Sequence, residues 1–294
     1  MNITKTGKSV SLPFFSVVIP TYERPEDLEK CLESLSNENQ SDAPNYELIV
    51  TDDSLSDLCQ ILVGKQFPQV SWGKGKQKGP AGNRNAGSKR AKGEWLIFLD
   101  DDCIAQKNYL QAYAEAIAQY PDVELFEGRI FADRPRITWA EGCPENSEGG
   151  MFWTSNLCVK KCTFERVGGF DERFEVAYED VDFAFRLRKS GIAYKFVPDA
   201  AVCHPWRTLR QDKKNWKTAG YEWESIKLFL SKHPDGEREH GNPFVYLRHG
   251  IRTITKDLFY CVFILKGRGI DILFKQFVCT ISCMIKTFQK PWRT

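Results

Sequence analysis

The stretch Glu94-Trp95-Leu96-Ile97-Phe98-Leu99-Asp100-Asp101-Asp102-Cys103 decides the fold of this chain. Five apolar residues, from Trp95 to Leu99, end abruptly in three consecutive carboxylates. Such a run predicts a buried strand of an α/β sheet, and ligands bind at the carboxyl edge of such a sheet. Three adjacent like charges repel one another unless a cation or a set of donors meets them. The stretch therefore predicts a divalent metal that carries a phosphorylated ligand. The alternative is a solvated turn in which Asp102 caps the next helix.

The segments before this stretch alternate between strand and helix patterns. Strands are predicted over 15–19, over 46–51 and near Val70, and helices are predicted from Pro25, over 58–64 and over 83–92. This alternation predicts a parallel sheet with right-handed crossovers. The ends of the first, second and fourth strands then meet at one edge, where we expect a nucleotide pocket. The polar side chains gathered at that edge are Thr21, Tyr22, Arg24, Asp52, Asp53, Asp100, Asp101 and Asp102.

The C-terminal part of the chain differs from the rest in charge. The chain carries +2 overall, and residues 241–294 hold nine basic and two acidic side chains, which leaves +7 there and −5 elsewhere. Apolar residues at helical spacing accompany these charges, namely Leu258, Val262, Leu265, Leu273, Phe277, Ile281, Met284 and Phe288. The pattern predicts basic amphipathic helices that pack on the core, contact an anionic membrane surface, or do both. The basic residues lack interleaved stacking platforms, so no nucleic acid is predicted as a partner.

The composition is typical of a globular protein. Hydrophobic residues make up 42% of the chain and aromatic residues 13%, which is enough for a sizeable core. The ten cysteines include no CxxC pair, and the N-terminus shows no signal peptide, so we expect reduced thiols in the cytoplasm. No stretch reaches the roughly 18 uncharged apolar residues of a membrane-spanning helix. The predicted location is cytoplasmic, with the basic tail offering peripheral contact to the inner face of the cell membrane.

Seven collinear segments resemble the inverting glycosyltransferases of family 2. They are Phe15-Ser-Val-Val-Ile-Pro-Thr-Tyr-Glu-Arg24, Val50-Thr-Asp-Asp-Ser54, Arg84-Asn-Ala-Gly87, Lys92-Gly-Glu94, Phe98-Leu-Asp-Asp-Asp102, Val167-Gly-Gly-Phe-Asp-Glu172 and Glu179-Asp-Val-Asp182. The resemblance covers residues 13–206 and implies a GT-A fold, which is a Rossmann-like, mostly parallel sheet flanked by helices. It implies a nucleotide-binding half over 13–102 and an acceptor half over 103–206. Residues 207–294 lie outside it and are predicted to form a helical extension.

The resemblance also implies which residues hold the nucleotide-sugar donor. The donor-binding set would be Pro20, Thr21, Tyr22, Arg24, Asp52, Asp53, Arg84, Asp100 and Asp101. We prefer Asp52 to Asp53 as the acceptor for the N3–H of a pyrimidine base. Arg84 would meet the base or ribose, or would pair with Asp52 alone. Asp100 would face the ribose, and the donor would be a UDP-, dTDP- or GDP-sugar.

A metal site and a catalytic base follow from the same resemblance. Asp102, in a DXD motif, would coordinate Mn²⁺ or Mg²⁺ between the two phosphates. His204, which follows a strand predicted over 193–197, would be a further ligand. Asp180 would take the proton from the acceptor hydroxyl, and Glu179 would orient the acceptor or substitute as the base.

The acceptor contacts implied by the resemblance are Trp153, Gly169 and Glu179. Trp153 would stack on a sugar face, or would be an ordinary aromatic core residue, and Asp182 is expected to pair with Arg186. The predicted function is metal-dependent, inverting transfer of one sugar to a glycan or lipid-linked acceptor during surface polysaccharide assembly. Two alternatives remain at this point. One is a nucleotidyltransferase that acts on a sugar phosphate, and the other is a degenerate, non-catalytic subunit at the membrane surface.

Overall fold

The computed structural model of this chain describes residues 14–175 and 177–208 without a break. Further on it describes residues 224–234, 247–248, 251, 255, 257–268, 270–271, 273–274, 277–278 and 280–281. The chain divides into two compact units. The larger unit comprises residues 1–132, 144–175 and 179–205, and the smaller comprises 133–143, 176–178 and 206–294.

Strands and helices alternate through the first half of the chain, as predicted. The strands are β1 (Phe15–Thr21), β2 (Tyr46–Asp52), β3 (Ser71–Lys74), β4 (Trp95–Leu99), β5 (Ile104–Ala105), β6 (Leu125–Ala132), β7 (Glu141–Gly142), β8 (Asn156–Lys160), β9 (Tyr194–His204) and β10 (Arg207–Thr208). The helices are α1 (Pro25–Ser34), α2 (Leu58–Gln66), α3 (Gly79–Arg90), α4 (Tyr109–Gln119), α5 (Lys161–Arg166) and α6 (Glu179–Lys189). The predicted α/β fold class is confirmed.

One eight-stranded sheet organises the larger unit, in the order β3-β2-β1-β4-β8-β6-β9-β5. Its first four strands pair in parallel, and so do β6 and β9. The pairings of β8 with β4 and β6, and of β5 with β9, are antiparallel. Because β1, β2 and β4 run in the same direction, their carboxyl ends meet at one edge of the sheet, as the sequence predicted. The sheet continues without interruption across the two predicted halves.

The strand β4 lies in the middle of this sheet and is buried along its whole length. Trp95, Ile97 and Leu99 pack on one face of the sheet with residues of α1 and α4. Leu96 and Phe98 pack on the other face with residues of α5 and α6. A strand covered on both faces needs apolar side chains at every position, which explains the uninterrupted run.

Two predicted boundaries differ from the structure. The helix predicted over 83–92 begins at Gly79, where Pro80 is tolerated in the first turn, and ends at Arg90. The strand predicted over 193–197 is longer, since its pairing with β6 continues past an irregularity at Gly128 as far as His204. His204 is therefore the last residue of β9 and does not follow the strand in a loop.

The predicted apolar face of the tail is only partly buried in the structure. Leu265 and Leu273 are buried, but Leu258 and Val262 are exposed. The reason is local, because residues Tyr260–Ile264 form a π-helical turn, in which a spacing of four no longer returns to the same face. Met284 and Phe288 lie outside the described residues. Within the described parts of the chain, no helix is long and apolar enough to span a membrane.

Candidate active site

The carboxylates after β4 meet donors from the end of β1. Asp101 and Asp102 are buried. Thr21 Oγ1 donates to Asp101 Oδ2 at 2.7 Å, and Arg24 Nη1 lies 3.1 Å from Asp101 Oδ1 and 3.3 Å from Asp102 Oδ2. Burial raises the pKa of Asp101 to about 6, although the Arg24 guanidinium opposes this shift. The crowded negative charge is thus met by a hydroxyl and a cation, as the sequence required.

Asp100 faces a different set of partners. Its Oδ1 accepts from Arg84 Nη2 at 2.8 Å, and its Oδ2 accepts from the Ser155 hydroxyl at 2.7 Å. Burial favours the neutral acid, but Arg84 and Ser155 outweigh it and hold the pKa of Asp100 below its ordinary value. Ser155 was not predicted as a site residue, since a serine before a strand carries no distinguishing pattern.

Asp102 also faces a histidine. Its Oδ1 lies 3.4 Å from His204 Nε2, and both side chains are buried. The other ring nitrogen, Nδ1, lies 2.7 Å from the carbonyl oxygen of Pro205. A carbonyl oxygen can only accept, so Nδ1 carries a proton, and in the neutral ring Nε2 presents its lone pair to the carboxylate. This arrangement of a carboxylate oxygen and a ring nitrogen can hold a cation between the two atoms.

This pair of donor atoms fits a hard divalent cation. Adjacent ligands of an octahedral ion with bonds of about 2.1 Å lie about 3 Å apart, close to the observed separation. Cys103 lies in the same group of potential ligands. Its thiol donates to the carbonyl oxygen of Ser155, and burial raises its pKa well above the ordinary value. A protonated thiol is a poor ligand for a hard cation, so Asp102 and His204 are the fitting residues.

The two carboxylates after β2 have different surroundings. Asp52 has no exposed surface, and its oxygens accept from the Ser54 backbone N–H at 2.8 Å and from Trp72 Nε1 at 3.3 Å. Asp53 retains a little exposure, and its Oδ1 accepts from the Gln77 backbone N–H at 2.9 Å. Burial raises the pKa of Asp53. Protein donors therefore hold both carboxylates, and the two differ in exposure, since Asp53 retains some exposed surface and Asp52 retains none.

The remaining predicted residues at this edge belong to β1 and the loop after it. Tyr22 is 55% exposed, which leaves its ring available to pack on a ligand. Pro20 lies within β1, where it pairs with Thr51 of β2. Pro20 therefore shapes the edge and does not present a functional group to it.

Arg84 lies between two carboxylates and is almost completely buried. Its Nη2 donates to Asp100, and its Nη1 donates to Glu179 Oε1 at 2.9 Å. Its guanidinium carbon lies 5.8 Å from the centre of the Phe170 ring. Burial disfavours the charged form, but the two carboxylates outweigh it and raise the pKa of Arg84. The predicted alternative, a pair with Asp52 alone, is therefore wrong.

The first two residues of α6 differ in exposure. Glu179 is buried against Arg84, and burial raises its pKa. Asp180 is half-buried, and its Oδ1 accepts from the next backbone N–H at 2.8 Å. The predicted pair of Asp182 with Arg186 is confirmed, with 2.7 Å between Oδ2 and Nε.

Trp153 and Gly169, two of the predicted acceptor contacts, each have a role in the packing of the protein. Trp153 is half-buried and packs against the hydrophobic core, which agrees with the alternative of an ordinary core residue. Gly169 has a φ of +64°, and a Cβ there would lie 2.9 Å from Asn85 Oδ1 and 3.1 Å from the Phe164 ring. The conformation and the crowding both require glycine at this position.

Glu127 is a buried carboxylate that the sequence analysis missed. It lies inside β6 with no exposed surface and accepts from Asn146 Nδ2 and from the backbone N–H groups of Gly150, Met151 and Phe152. These contacts hold a loop in which residues 149, 150 and 152 have positive φ. The same loop leads to Trp153 and Ser155. The available signal was a glutamate that follows two apolar residues at the start of β6, a strand with one other charged residue, Arg129.

Comparison with known proteins gives one family for this chain. The profile of "Glycosyl transferase family 2" matches residues 16–164. An uncharacterized glycosyltransferase of Haemophilus influenzae is 27% identical over 204 residues, which are 64% of this chain and 67% of the relative. The GalNAc(5)-diNAcBac-PP-undecaprenol beta-1,3-glucosyltransferase of Campylobacter jejuni is 36% identical over 96 residues, which are 31% of this chain and 30% of that protein.

A solved structure shares the fold. It is S. aureus TarS 1-349 in complex with UDP, with a TM-score of 0.58 and 17% identity over 94% of this chain and 81% of that one. At this level of identity the likeness concerns the fold, and it confirms the predicted GT-A architecture. The profile match confirms the family that the seven motifs indicated.

Proposed function

Because this chain belongs to glycosyltransferase family 2, we propose that it transfers one sugar from a nucleoside diphosphate sugar to a hydroxyl group of its acceptor. The transfer would invert the configuration at the anomeric carbon. One observation carries the proposal, namely that the buried Asp102 and His204 face each other across 3.4 Å. They do so beside the carboxylate cluster that ends β4. A divalent cation held by these two side chains would in turn bind the diphosphate of the donor.

Asp53 and Tyr22 are the proposed contacts for the nucleotide base. Asp53 is the carboxylate after β2 that keeps some exposed surface, whereas Asp52 has none and is held by Ser54 and Trp72. A carboxylate accepts from the N3–H of a pyrimidine. The fold neighbour from S. aureus was solved with UDP, which makes a UDP-sugar our first choice of donor. The dTDP- and GDP-sugars are the next candidates.

Asp102 and His204 are the proposed metal ligands. Carboxylate oxygens suit both Mg²⁺ and Mn²⁺, but Mg²⁺ is seldom held by an imidazole nitrogen, so this mixed set favours Mn²⁺. When bound, the metal would neutralise the diphosphate and stabilise it as a leaving group. Arg24, which contacts Asp101 and Asp102, adds a positive charge at the same edge.

Asp180 is the proposed catalytic base. Glu179 is engaged by Arg84, whereas Asp180 is half-buried and open to an incoming hydroxyl. The acceptor oxygen attacks the anomeric carbon from the face opposite the diphosphate, and its proton passes to the Asp180 carboxylate. As the new C–O bond forms, the bond to the phosphate oxygen breaks and the nucleoside diphosphate leaves. This single displacement accounts for inversion.

A glycan or a lipid-linked glycan is the proposed acceptor, and surface polysaccharide assembly is the proposed role. The name of the C. jejuni relative includes an undecaprenol diphosphate acceptor, which supports a lipid-linked substrate for this chain. A lipid-linked acceptor would place the enzyme at the cytoplasmic face of a membrane.

Peripheral membrane contact is the corresponding proposal for the smaller unit. Its exposed apolar side chains include Phe259, Phe263, Ile264 and Phe274, each between 59% and 67% exposed. Residues 241–294 carry +7, which complements an anionic bilayer. We expect the protein to sediment with vesicles that contain phosphatidylglycerol and not with pure phosphatidylcholine, and Phe263→Glu to weaken that binding. Equal sedimentation with both vesicles, or with neither, would exclude this contact.

Thermal unfolding with added nucleotides tests the proposed activity. UDP, dTDP, GDP and ATP are each added with and without Mn²⁺ to the wild type, to Asp102→Ala and to the control Asp122→Ala, which changes an exposed aspartate after α4. A ligand at about 100 times its Kd adds about 2.7 kcal/mol of stability. We expect Mn²⁺-dependent stabilisation by one nucleoside diphosphate in the wild type and the control, and its loss in Asp102→Ala. Stabilisation by a triphosphate alone would indicate a nucleotidyltransferase, and stabilisation by none would indicate a non-catalytic subunit.

A further inference from the structure

Arg84 connects two parts of the proposed active site that are far apart in the sequence. One terminal nitrogen donates to Asp100, in the carboxylate cluster after β4, and the other donates to Glu179, the first residue of α6. The distances are 2.8 Å and 2.9 Å, and the arginine side chain is 6% exposed. Asp180 follows directly after Glu179. The guanidinium therefore bridges the donor edge and the residue next to the proposed base.

The helix α3 holds the same region by a second contact. Asn85 Nδ2 donates to the carbonyl oxygen of Phe170 at 2.8 Å, and the Phe170 backbone N–H donates to Asn85 Oδ1 at 3.0 Å. The Phe170 ring lies below the Arg84 guanidinium. Two consecutive residues of α3 thus fix the loop before α6 and the start of α6 itself.

The burial of Arg84 argues against a direct contact with the donor. Both terminal nitrogens already bind protein carboxylates, and Nε is buried without a hydrogen-bond partner among the described residues. A guanidinium presents a rigid fork, so it can hold two carboxylates at a fixed spacing, which the single ammonium of lysine cannot do. The structure is therefore that of a clamp between protein groups.

We propose that Arg84 is a positioning residue that sets the placement of Asp180 relative to the donor edge, by clamping Glu179 to Asp100. This inference rests on the proposed function and deepens it, because it makes Arg84 a residue that positions the base and not a residue that binds the donor. Glu179 is then the point at which α6 is held, and neither a second base nor an acceptor contact. The base is positioned only when Arg84, Glu179 and Asp100 act together.

The test compares turnover with nucleotide affinity in matched variants. Arg84→Lys and Glu179→Ala each break the clamp, and the double variant combines them. Arg90→Lys is the control, because it makes the same substitution in α3 at a residue that bonds Ser71, away from the carboxylates. Turnover is measured as UDP released from UDP-glucose, UDP-galactose, UDP-N-acetylglucosamine and UDP-N-acetylgalactosamine, with water as the acceptor. The affinity for UDP with Mn²⁺ is measured by calorimetry.

We expect Arg84→Lys and Glu179→Ala each to lower kcat about 100-fold, the cost of misplacing a reacting group by about 1 Å. The Kd for UDP should stay within about threefold of the wild type, because neither residue contacts the donor. The kcat of the double variant should lie within about threefold of the kcat of the slower single variant, because the effects of residues that act as one unit are not additive. Arg90→Lys should keep wild-type kcat and Kd.

Other outcomes separate this inference from the proposed function. A wild type that binds none of UDP, dTDP and GDP with Mn²⁺ overturns the proposed function, and the inference with it. If dTDP or GDP binds in place of UDP, the same comparison is made with that nucleotide and its sugars. An active wild type overturns the inference alone if Arg84→Lys weakens UDP binding in parallel with kcat, or if the two single effects multiply in the double variant. Circular dichroism checks that the variants fold. If Arg84→Lys does not fold, Glu179→Ala still tests the inference, because its kcat should fall while its Kd for UDP stays unchanged.

Discussion

Replacement of Glu127 by alanine is expected to destabilise the larger unit strongly. The carboxylate has no exposed surface and accepts from Asn146 and from the N–H groups of Gly150, Met151 and Phe152, at 2.6 to 3.2 Å. A hydrogen bond to a charged group contributes about 1.5–3 kcal/mol, but alanine also removes the cost of burying the charge. The four donors would be left without their buried acceptor, at about 1–3 kcal/mol each, so we expect a net loss of about 3–5 kcal/mol in the free energy of unfolding.

Urea unfolding followed by tryptophan fluorescence measures this loss directly. In a unit of this size, a loss of about 3–5 kcal/mol in the free energy of unfolding lowers Tm by about 6–20 °C. Glu124→Ala is the matched control, because Glu124 lies just before β6 and pairs with Arg166, and its side chain is 31% exposed. A surface pair of this kind contributes about 0–1 kcal/mol. The reasoning is refuted if Glu127→Ala costs no more free energy of unfolding than Glu124→Ala.

Three further outcomes are expected. Asp180→Asn should lower kcat by about 10²–10⁴-fold and leave the Kd for UDP with Mn²⁺ unchanged, and a parallel loss of affinity would exclude Asp180 as the base. Gly75→Ala should weaken UDP binding in calorimetry, because a Cβ there would lie 2.0 Å from Asp53 Oδ1, whereas Gly64→Ala, with nothing within 4 Å, should not. Hydrogen bonds from Arg134 hold the pKa of Glu141 below its ordinary value of 4.5. The charged carboxylate therefore stabilises the fold above pH 4.5, and this contribution is lost as the pH falls through the lowered pKa. In urea, the destabilisation caused by Glu141→Gln should accordingly be largest near pH 7 and smaller at pH 3.

The order of strands and helices could be predicted because each element carries its own local pattern. The apolar run of β4 was bounded by charges, and α1 began with a proline followed by acidic residues. The pairing of β9 with β6 could not be predicted in this way, because it depends on residues about seventy positions apart. For the same reason the sequence could place His204 near Asp102 only through the family resemblance.

The partners of Arg84 show a second limit of sequence analysis. Its two carboxylates lie 16 and 95 residues away, and nothing in α3 distinguishes Asp100 and Glu179 from Asp52 as partners. What selects them is the packing of α3 and α6 on the same face of the sheet, where Ala81 and Phe183 share one hydrophobic cluster. A charged residue in a motif therefore indicates that a site exists, whereas the fold decides which groups it serves.

The choice between Asp52 and Asp53 follows from the same principle. Successive side chains of a strand point to opposite faces, so one of two adjacent carboxylates at a strand end is directed inward and the other outward. In a half-exposed strand, alternation of polar and apolar residues would show which is which. β2 is covered on both faces, and its last five residues are all buried, so its sequence contains no alternation. The indole of Trp72 in β3, which donates to Asp52, supplied the missing information. If that bond is what holds Asp52 inward, Trp72→Phe should lower stability in urea by about 1–3 kcal/mol, the cost of an unmatched buried acceptor, and should leave the Kd for UDP unchanged.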